Sequence, residues 1–180
     1  MLFRSPTLAL PALSRLTANY PESTLTMIGP DKGDGSLQEF KNRARELQLE
    51  GRVQYVGLIK KAEVPGWLNR GDIFINTTNV DNTPISVIEA LACGLCVVST
   101  NVGGIPYLLE HEGDALLVPP NDAEAMADAV RRVLAGPGLA ERLSRNARRK
   151  AEGFDWSVVV PQWEALFEEV LHVARPPSGS

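Results

Sequence analysis

The sequence is poor in the side chains that carry most redox, metal and nucleophilic chemistry. Its 180 residues include two cysteines, two histidines and only 6% aromatic residues. Cys93 and Cys96 form a single C-x-x-C with no second pair to complete a zinc site. Their apolar neighbours favour buried, inert thiols over a redox pair. His111 and His172 are isolated from potential triad or ligand partners. We therefore expect no metal and no thiol chemistry.

Strong charge and long apolar runs are also lacking. The net charge is −4, and no Lys/Arg stripe with interleaved aromatics indicates a nucleic-acid partner. No apolar run approaches the roughly 18 residues of a membrane helix, and no signal peptide is visible. We expect a cytoplasmic setting, with the inner face of the membrane as the alternative. One basic cluster has helical spacing and predicts a solvated helix face, or alternatively a peripheral contact with anionic lipid: Arg142, Arg145, Arg148, Arg149 and Lys150.

Two nucleotide-binding motifs are absent as well. No G-x-G-x-x-G follows a first strand and no Walker motif occurs, which argues against a dinucleotide dehydrogenase and a P-loop enzyme. What the sequence does contain is an alternation of short apolar strands with amphipathic helices, which predicts an α/β fold, a Rossmann-like parallel sheet flanked by helices. We expect one domain over 1–175 and a disordered tail over 176–180. The predicted strands are Leu25–Gly29, Val53–Val56, Ile73–Ile75, Cys96–Ser99 and Ala115–Val118.

Helix signals fill the intervals between these strands. Ser36 with Glu39, and Asn121 with Glu124, have the spacing of capping boxes. Pro161 in the last apolar stripe predicts either a kink or the true start of that helix. The predicted helices cover 7–19, a stretch from Ser36 to Gly51, part of 60–69, 84–92, one turn at 105–109, a stretch from Asn121, a stretch around 139–147, and a last one from Trp156.

The segment from Asp81 to Glu89 combines acidic residues with a helix start. Thr83 is a good N-cap residue, and Pro84 suits the first helical position. The backbone N–H groups of Ile85 and Ser86 would then be free, and a helix N-terminus favours a phosphate or an oxygen-rich sugar. In a parallel sheet, ligands bind beyond the carboxyl ends of the strands, where this segment lies.

Glu89 follows on an otherwise apolar helix, where a carboxylate needs a partner. Two hydroxyls of a ribose would supply one, and an internal backbone or side-chain group would supply another. From the residues alone, the ribose interpretation and the internal-partner interpretation are equally well supported.

Several blocks in a fixed order give a more specific signal than any one motif. Asp81 and Glu89 stand eight positions apart. The blocks that follow them are Ala90–Gly94, Val97–Thr100, Gly103–Pro106 and Leu116–Pro119. Together they resemble the large retaining family of GT-B glycosyltransferases, group 1 or family 4 type, over about 7–167. The resemblance implies the C-terminal half of a GT-B architecture, which binds a nucleotide-activated sugar for transfer to an acceptor.

The resemblance also implies roles for individual residues. The catalytic pair would be Asp81, which contacts the donor sugar, and Glu89, which binds the ribose hydroxyls. The segment Thr83, Pro84, Ile85 and Ser86 would meet sugar hydroxyls or the diphosphate. The backbone at Gly57, Leu58 and Ile59 would meet the nucleobase. Activity of this kind is typically metal-independent, so no cofactor is expected beyond the donor itself.

The sequence departs from the family pattern in two ways. Asp81 stands where the family usually has the longer Glu. Before Thr7 there is no first strand, glycine-containing loop or basic diphosphate-binding pair, and the acceptor-binding domain is missing. We therefore expect a truncated chain that is inactive alone, with part of the Trp156–Leu171 stripe exposed. The alternatives are a sugar-nucleotide epimerase-like domain and a non-catalytic nucleotide-binding fragment.

Overall fold

The computed structural model describes residues 6–173, with side-chain exposure for 8–171. Five short strands form two groups in which every pairing is parallel. The first group pairs β1 with β2, and the second has the order β3-β4-β5. All five predicted strands are confirmed within about a residue or two at each end. Their bounds are β1 Leu25–Ile28, β2 Val53–Gly57, β3 Ile73–Asn76, β4 Cys96–Thr100 and β5 Ala115–Val118.

Helices connect the strands and cover the sheet, which gives the expected Rossmann-like α/β fold. The structure confirms the one-turn helix at 105–108 and the short helix with Pro65 in its first turn. The helices are α1 Pro6–Leu16, α2 Ser36–Glu46, α3 Val64–Leu68, α4 Ile85–Ala92, α5 Ile105–Leu108, α6 Ala123–Ala135, α7 Pro137–Glu152 and α8 Trp156–Val173; short 3₁₀ turns stand at Glu50–Arg52 and Lys61–Glu63.

Both predicted capping boxes are wrong by one residue. Helix α2 begins at Ser36 itself, because Gly35 takes the left-handed conformation with φ 84° and precedes it as the cap. The Ser36 N–H donates to Asp34 Oδ1 at 3.0 Å. The Asp34 carboxylate therefore satisfies one N–H group at the start of the helix. At α6, Asn121 is left-handed with φ 60°, and Asp122 caps the helix by accepting from Ala125 N at 2.9 Å.

Strand β4 lies at the centre of the core, and all five of its residues are buried. Cys96 and Val98 face a cluster built largely from α1 and α6, including Met126. Val97 faces the opposite cluster, where it packs with residues of α4 such as Leu91. This alternation is what a strand covered by helices on both faces requires.

Helix α8 is the exception to this packing. Among the side chains that the structure describes along it, all but the half-buried Val159 are exposed. Trp156, Trp163 and Phe167 are 76%, 51% and 57% exposed, which confirms the expected exposure of this stripe. Pro161 lies inside the helix and does not start it.

Across 6–173 no helix has the length and apolar character to span a bilayer. The predicted tail, 176–180, lies outside the described residues.

Candidate functional site

Buried polar residues gather where β3 and β4 end. Asn76, Thr78, Ser99 and Thr100 are each 6% exposed or less. Asn76 Nδ2 donates to Ser99 Oγ at 3.0 Å, and Thr100 Oγ1 donates to the Thr78 carbonyl at 2.5 Å. Thr78 Oγ1 in turn donates to the carbonyl of Val80 at 3.0 Å. These bonds tie the carboxyl ends of the two strands together and anchor the loop that leaves β3.

The loop after β3 packs closely against the loop after β4. Gly104 N–H donates to the Asp81 carbonyl at 2.8 Å. A Cβ on Gly103 would lie 2.2 Å from the Asp81 carbonyl oxygen, and one on Gly104 would lie 1.9 Å from the Asn82 carbonyl oxygen. Gly103 also has a positive φ of 54°. The glycine pair is therefore required because two backbones meet here.

Helix α4 begins one residue later than the sequence predicts. Pro84 is the cap, in an extended conformation with φ −70° and ψ 113°, and Thr83 makes no side-chain capping bond. The reason is that the Pro84 carbonyl already accepts the first helical bond, from Val87 N at 3.0 Å. Ile85 and Ser86 thus supply backbone N–H groups of the first turn. Their role in binding an anion or a sugar stays a prediction.

Glu89 lies in the second turn of α4 and is half-buried. Its helix neighbours Ala90 and Leu91 are fully buried. Within the described part of the chain, the Glu89 carboxylate has no ion pair or side-chain hydrogen bond, and the same holds for the half-buried Asp81. The internal partner that the sequence left open for Glu89 is therefore not seen. Its ligand role stays a prediction.

The Glu89 carboxylate contributes to the raised pKa of the Cys93 thiol, one turn further along α4. Burial raises the pKa of Cys93, the Arg148 guanidinium lowers it, and the Glu89 carboxylate raises it. Burial also raises the pKa of Cys96, whose Sγ donates to the Ala140 carbonyl at 3.2 Å. Both cysteines are free. They agree with the expectation of unreactive thiols.

The predicted base-binding segment lies at the carboxyl end of β2. Gly57 closes this strand with φ 83°, and its carbonyl accepts from Gly29 N at 3.0 Å. Tyr55 Oη donates to the Gly29 carbonyl at 2.9 Å, which joins the ends of β1 and β2. Leu58 is 78% exposed and Ile59 is half-buried. This segment follows the carboxyl end of β2, and the loop to α4 follows the carboxyl end of β3, which are the positions where parallel sheets bind ligands.

Sequence reasoning missed the side-chain network of Asn76, Thr78 and Ser99. The available signal was a polar residue at the end of an apolar strand, where a buried hydroxyl or amide needs a partner.

The basic cluster on α7 is largely paired. Arg145 bonds Glu141 at 2.5 Å, Arg148 bonds Glu152 at 3.2 Å and Lys150 pairs with Asp114. This agrees with a solvated helix face, and the lipid contact stays a prediction.

The family profile described as glycosyl transferases group 1 matches residues 4–150. A D-inositol 3-phosphate glycosyltransferase of Saccharomonospora viridis is 39% identical over 178 residues, which are 96% of this chain and 41% of that protein.

Solved structures resemble the whole fold. Sucrose-phosphate synthase from Thermosynechococcus elongatus has a TM-score of 0.80 at 26% identity, covering 94% of this chain and 44% of that one. Anabaena Alr3699/HepE in complex with UDP-glucose has a TM-score of 0.81 at 22% identity, covering 92% and 46%. The chain thus spans less than half the length of these three relatives.

Proposed function

The chain belongs to the glycosyl transferases group 1 family, and we propose that it is the part of a glycosyltransferase that binds the nucleotide-activated sugar donor. The observation that carries the proposal is Glu89, a half-buried carboxylate with no protein partner among the described residues. A half-buried carboxylate without a protein partner has acceptor positions open, and a pair of ligand hydroxyls would satisfy them.

The surrounding groups suit the remaining parts of such a donor. The N–H groups of Ile85 and Ser86 at the start of α4 favour the diphosphate or sugar hydroxyls, together with the backbone at Thr83 and Pro84. Asp81, in the loop before the helix, would contact the donor sugar. The backbone of 57–59, at the end of β2, would contact the base.

The reaction class is proposed at the level of the complete protein. Transfer would follow the retaining course of the family, without a metal, with the leaving diphosphate stabilised by helix and backbone N–H groups. The acceptor would be bound by polypeptide outside this chain, so we propose that the chain alone is inactive in transfer. Uridine is the first base to test, because the Alr3699/HepE structure contains UDP-glucose. No observation favours the epimerase alternative.

The test is calorimetric titration of UDP and the other nucleoside diphosphates into the purified chain. Hydrogen bonds to a charged group contribute about 1.5–3 kcal/mol, so Glu89→Ala should weaken binding about 10- to 100-fold. Glu169→Ala, on the exposed face of α8, is the matched control and should bind like the wild type. Equal affinity of the Glu89 variant and the wild type would refute the ribose assignment. Binding that EDTA abolishes would refute metal independence.

A further inference from the structure

Strand β5 has an outer edge with no strand beside it. It bonds β4 on one side, and within 6–173 no strand pairs with it on the other. Backbone groups along a strand point alternately to its two sides. The Val118 carbonyl points toward β4, since it accepts from Asn101 N at 2.8 Å. Ala115 and Leu117 therefore direct their backbone groups outward. An edge of this kind is a template for pairing with another strand unless it is covered.

The segment ahead of β5 covers this edge. Ala115 N donates to the Glu110 carbonyl at 3.3 Å, and the Ala115 carbonyl accepts from Glu112 N at 2.8 Å. The next outward N–H group is met by a side chain, because Leu117 N donates to His111 Nδ1 at 2.9 Å. The cover at Leu117 thus depends on one ring nitrogen.

The bond to His111 requires a neutral imidazole. A neutral ring accepts at Nδ1 when its proton is on Nε2, whereas an imidazolium carries N–H on both nitrogens and accepts at neither. Histidine is the side chain whose charge ordinarily changes between about pH 5 and pH 8. The His111 side chain is 50% exposed, so water reaches it. A proton added at Nδ1 therefore breaks the bond from Leu117 N.

A carboxylate that can accept from the imidazolium lies beside the ring. Glu112 Oε1 is 3.9 Å from His111 Nε2. Arg132 of α6 bonds the same carboxylate. The Arg132 guanidinium holds the pKa of Glu112 below its usual value, and His111 and Arg142 of α7 lower it further. Glu112 thus stays ionised over the range in which histidine titrates.

The other charged groups around this segment have different positions or partners. Asp114 is buried, accepts from Glu110 N and pairs with Lys150 of α7. The Glu110 carboxylate lies over Gly113. Among the residues that the structure describes, Glu112 is the one carboxylate within 4.0 Å of the His111 ring nitrogens. It is therefore the acceptor to which a protonated ring would turn.

We propose that His111 is a pH-dependent latch on the outer edge of β5. At neutral pH its Nδ1 accepts from Leu117 N and the edge is closed. At acidic pH the imidazolium pairs with Glu112, and the Leu117 N–H becomes free for water or for pairing with another strand. The closed state is favoured above the range in which histidine titrates and is lost as the pH falls through it.

Hydrogen exchange at single amides of the full chain, read by nuclear magnetic resonance, tests the latch. After correction for the intrinsic exchange rate, protection of Leu117 N should fall about tenfold between pH 7.5 and pH 5. Val98 N, in the buried strand β4, should keep its protection. His111→Ala should show low protection of Leu117 N at both pH values. His172→Ala removes the other histidine of the chain and is the matched control, which should behave as the wild type.

Three results would overturn the proposal. They are equal protection of Leu117 N at the two pH values, a pH dependence that persists in His111→Ala, and a loss that Val98 N shares, which would mean general acid unfolding. Glu112→Gln tests the open state separately. Without this carboxylate the imidazolium is less favoured, so the loss of protection should move to lower pH. An unmoved or raised midpoint would overturn the pairing with Glu112.

Discussion

Replacement of Gly104 by Ala tests whether the contact between the loops after β3 and β4 holds the site together. The added Cβ would lie 1.9 Å from the Asn82 carbonyl oxygen and 2.7 Å from its carbon. Both groups are backbone, so neither can turn aside as a side chain would. For that contact to reach even 3.0 Å, the closest approach that real Cβ atoms show, one loop must retreat by about 1 Å or more.

The retreat has a cost in stability and a cost in binding. Overpacking costs about 1–3 kcal/mol, and the bond from Gly104 N to the Asp81 carbonyl would contribute about a further 1 kcal/mol when lost. We expect Gly104→Ala to lower the free energy of unfolding by about 2–4 kcal/mol. Because the retreating loop carries Asp81 and leads into α4, we also expect UDP to bind about tenfold more weakly, or worse.

Two measurements on two variants decide the outcome. Urea unfolding followed by circular dichroism gives stability, and calorimetry gives UDP affinity. Gly138→Ala is the matched control, because it lies in the first turn of α7 with nothing within 4 Å of the added Cβ. It should be neutral or stabilising by up to about 1 kcal/mol. A Gly104→Ala protein with wild-type stability and wild-type UDP affinity would refute the close contact and its role.

Four further predictions address other parts of the fold. Asp114→Ala removes a buried carboxylate that pairs with Lys150 and accepts from Glu110 N at 2.9 Å, so urea unfolding should show a loss of about 2–4 kcal/mol. Asp122→Ala removes the α6 cap and should cost about 1 kcal/mol by the same assay. Cys93 and Cys96 have raised pKa values from burial, so at pH 7.5 iodoacetamide should label them far more slowly in the folded chain than in urea. Sedimentation should show concentration-dependent association through α8, reduced in Trp163→Asp, because exposed apolar faces associate.

The sequence predicted the elements well because their signals are local. The strand Cys96–Thr100 begins with the apolar run Cys96–Val98, and the stripe of α6 repeats with helical period, so hydrophobic pattern selects both elements. Helix starts were less predictable. Ser36, Asn121 and Thr83 are all good capping residues, yet the caps fall on Gly35, Asp122 and Pro84. The position of each cap depends on the backbone dihedral angles of the residues around it, and these cannot be read from the capping propensity of a single residue.

The site was predictable in outline and less so in its supports. Asp81 and Glu89 were singled out from their places before and within the helix and from the family resemblance, and Gly103 and Gly104 from the resemblance; the ligand roles of the two acids stay predictions. The contact that makes those glycines necessary joins 81–82 to 103–104, and such pairing of separate loops is invisible in a single sequence. The same holds for Asn76 and Ser99, which are 23 positions apart and meet only because β3 and β4 lie side by side.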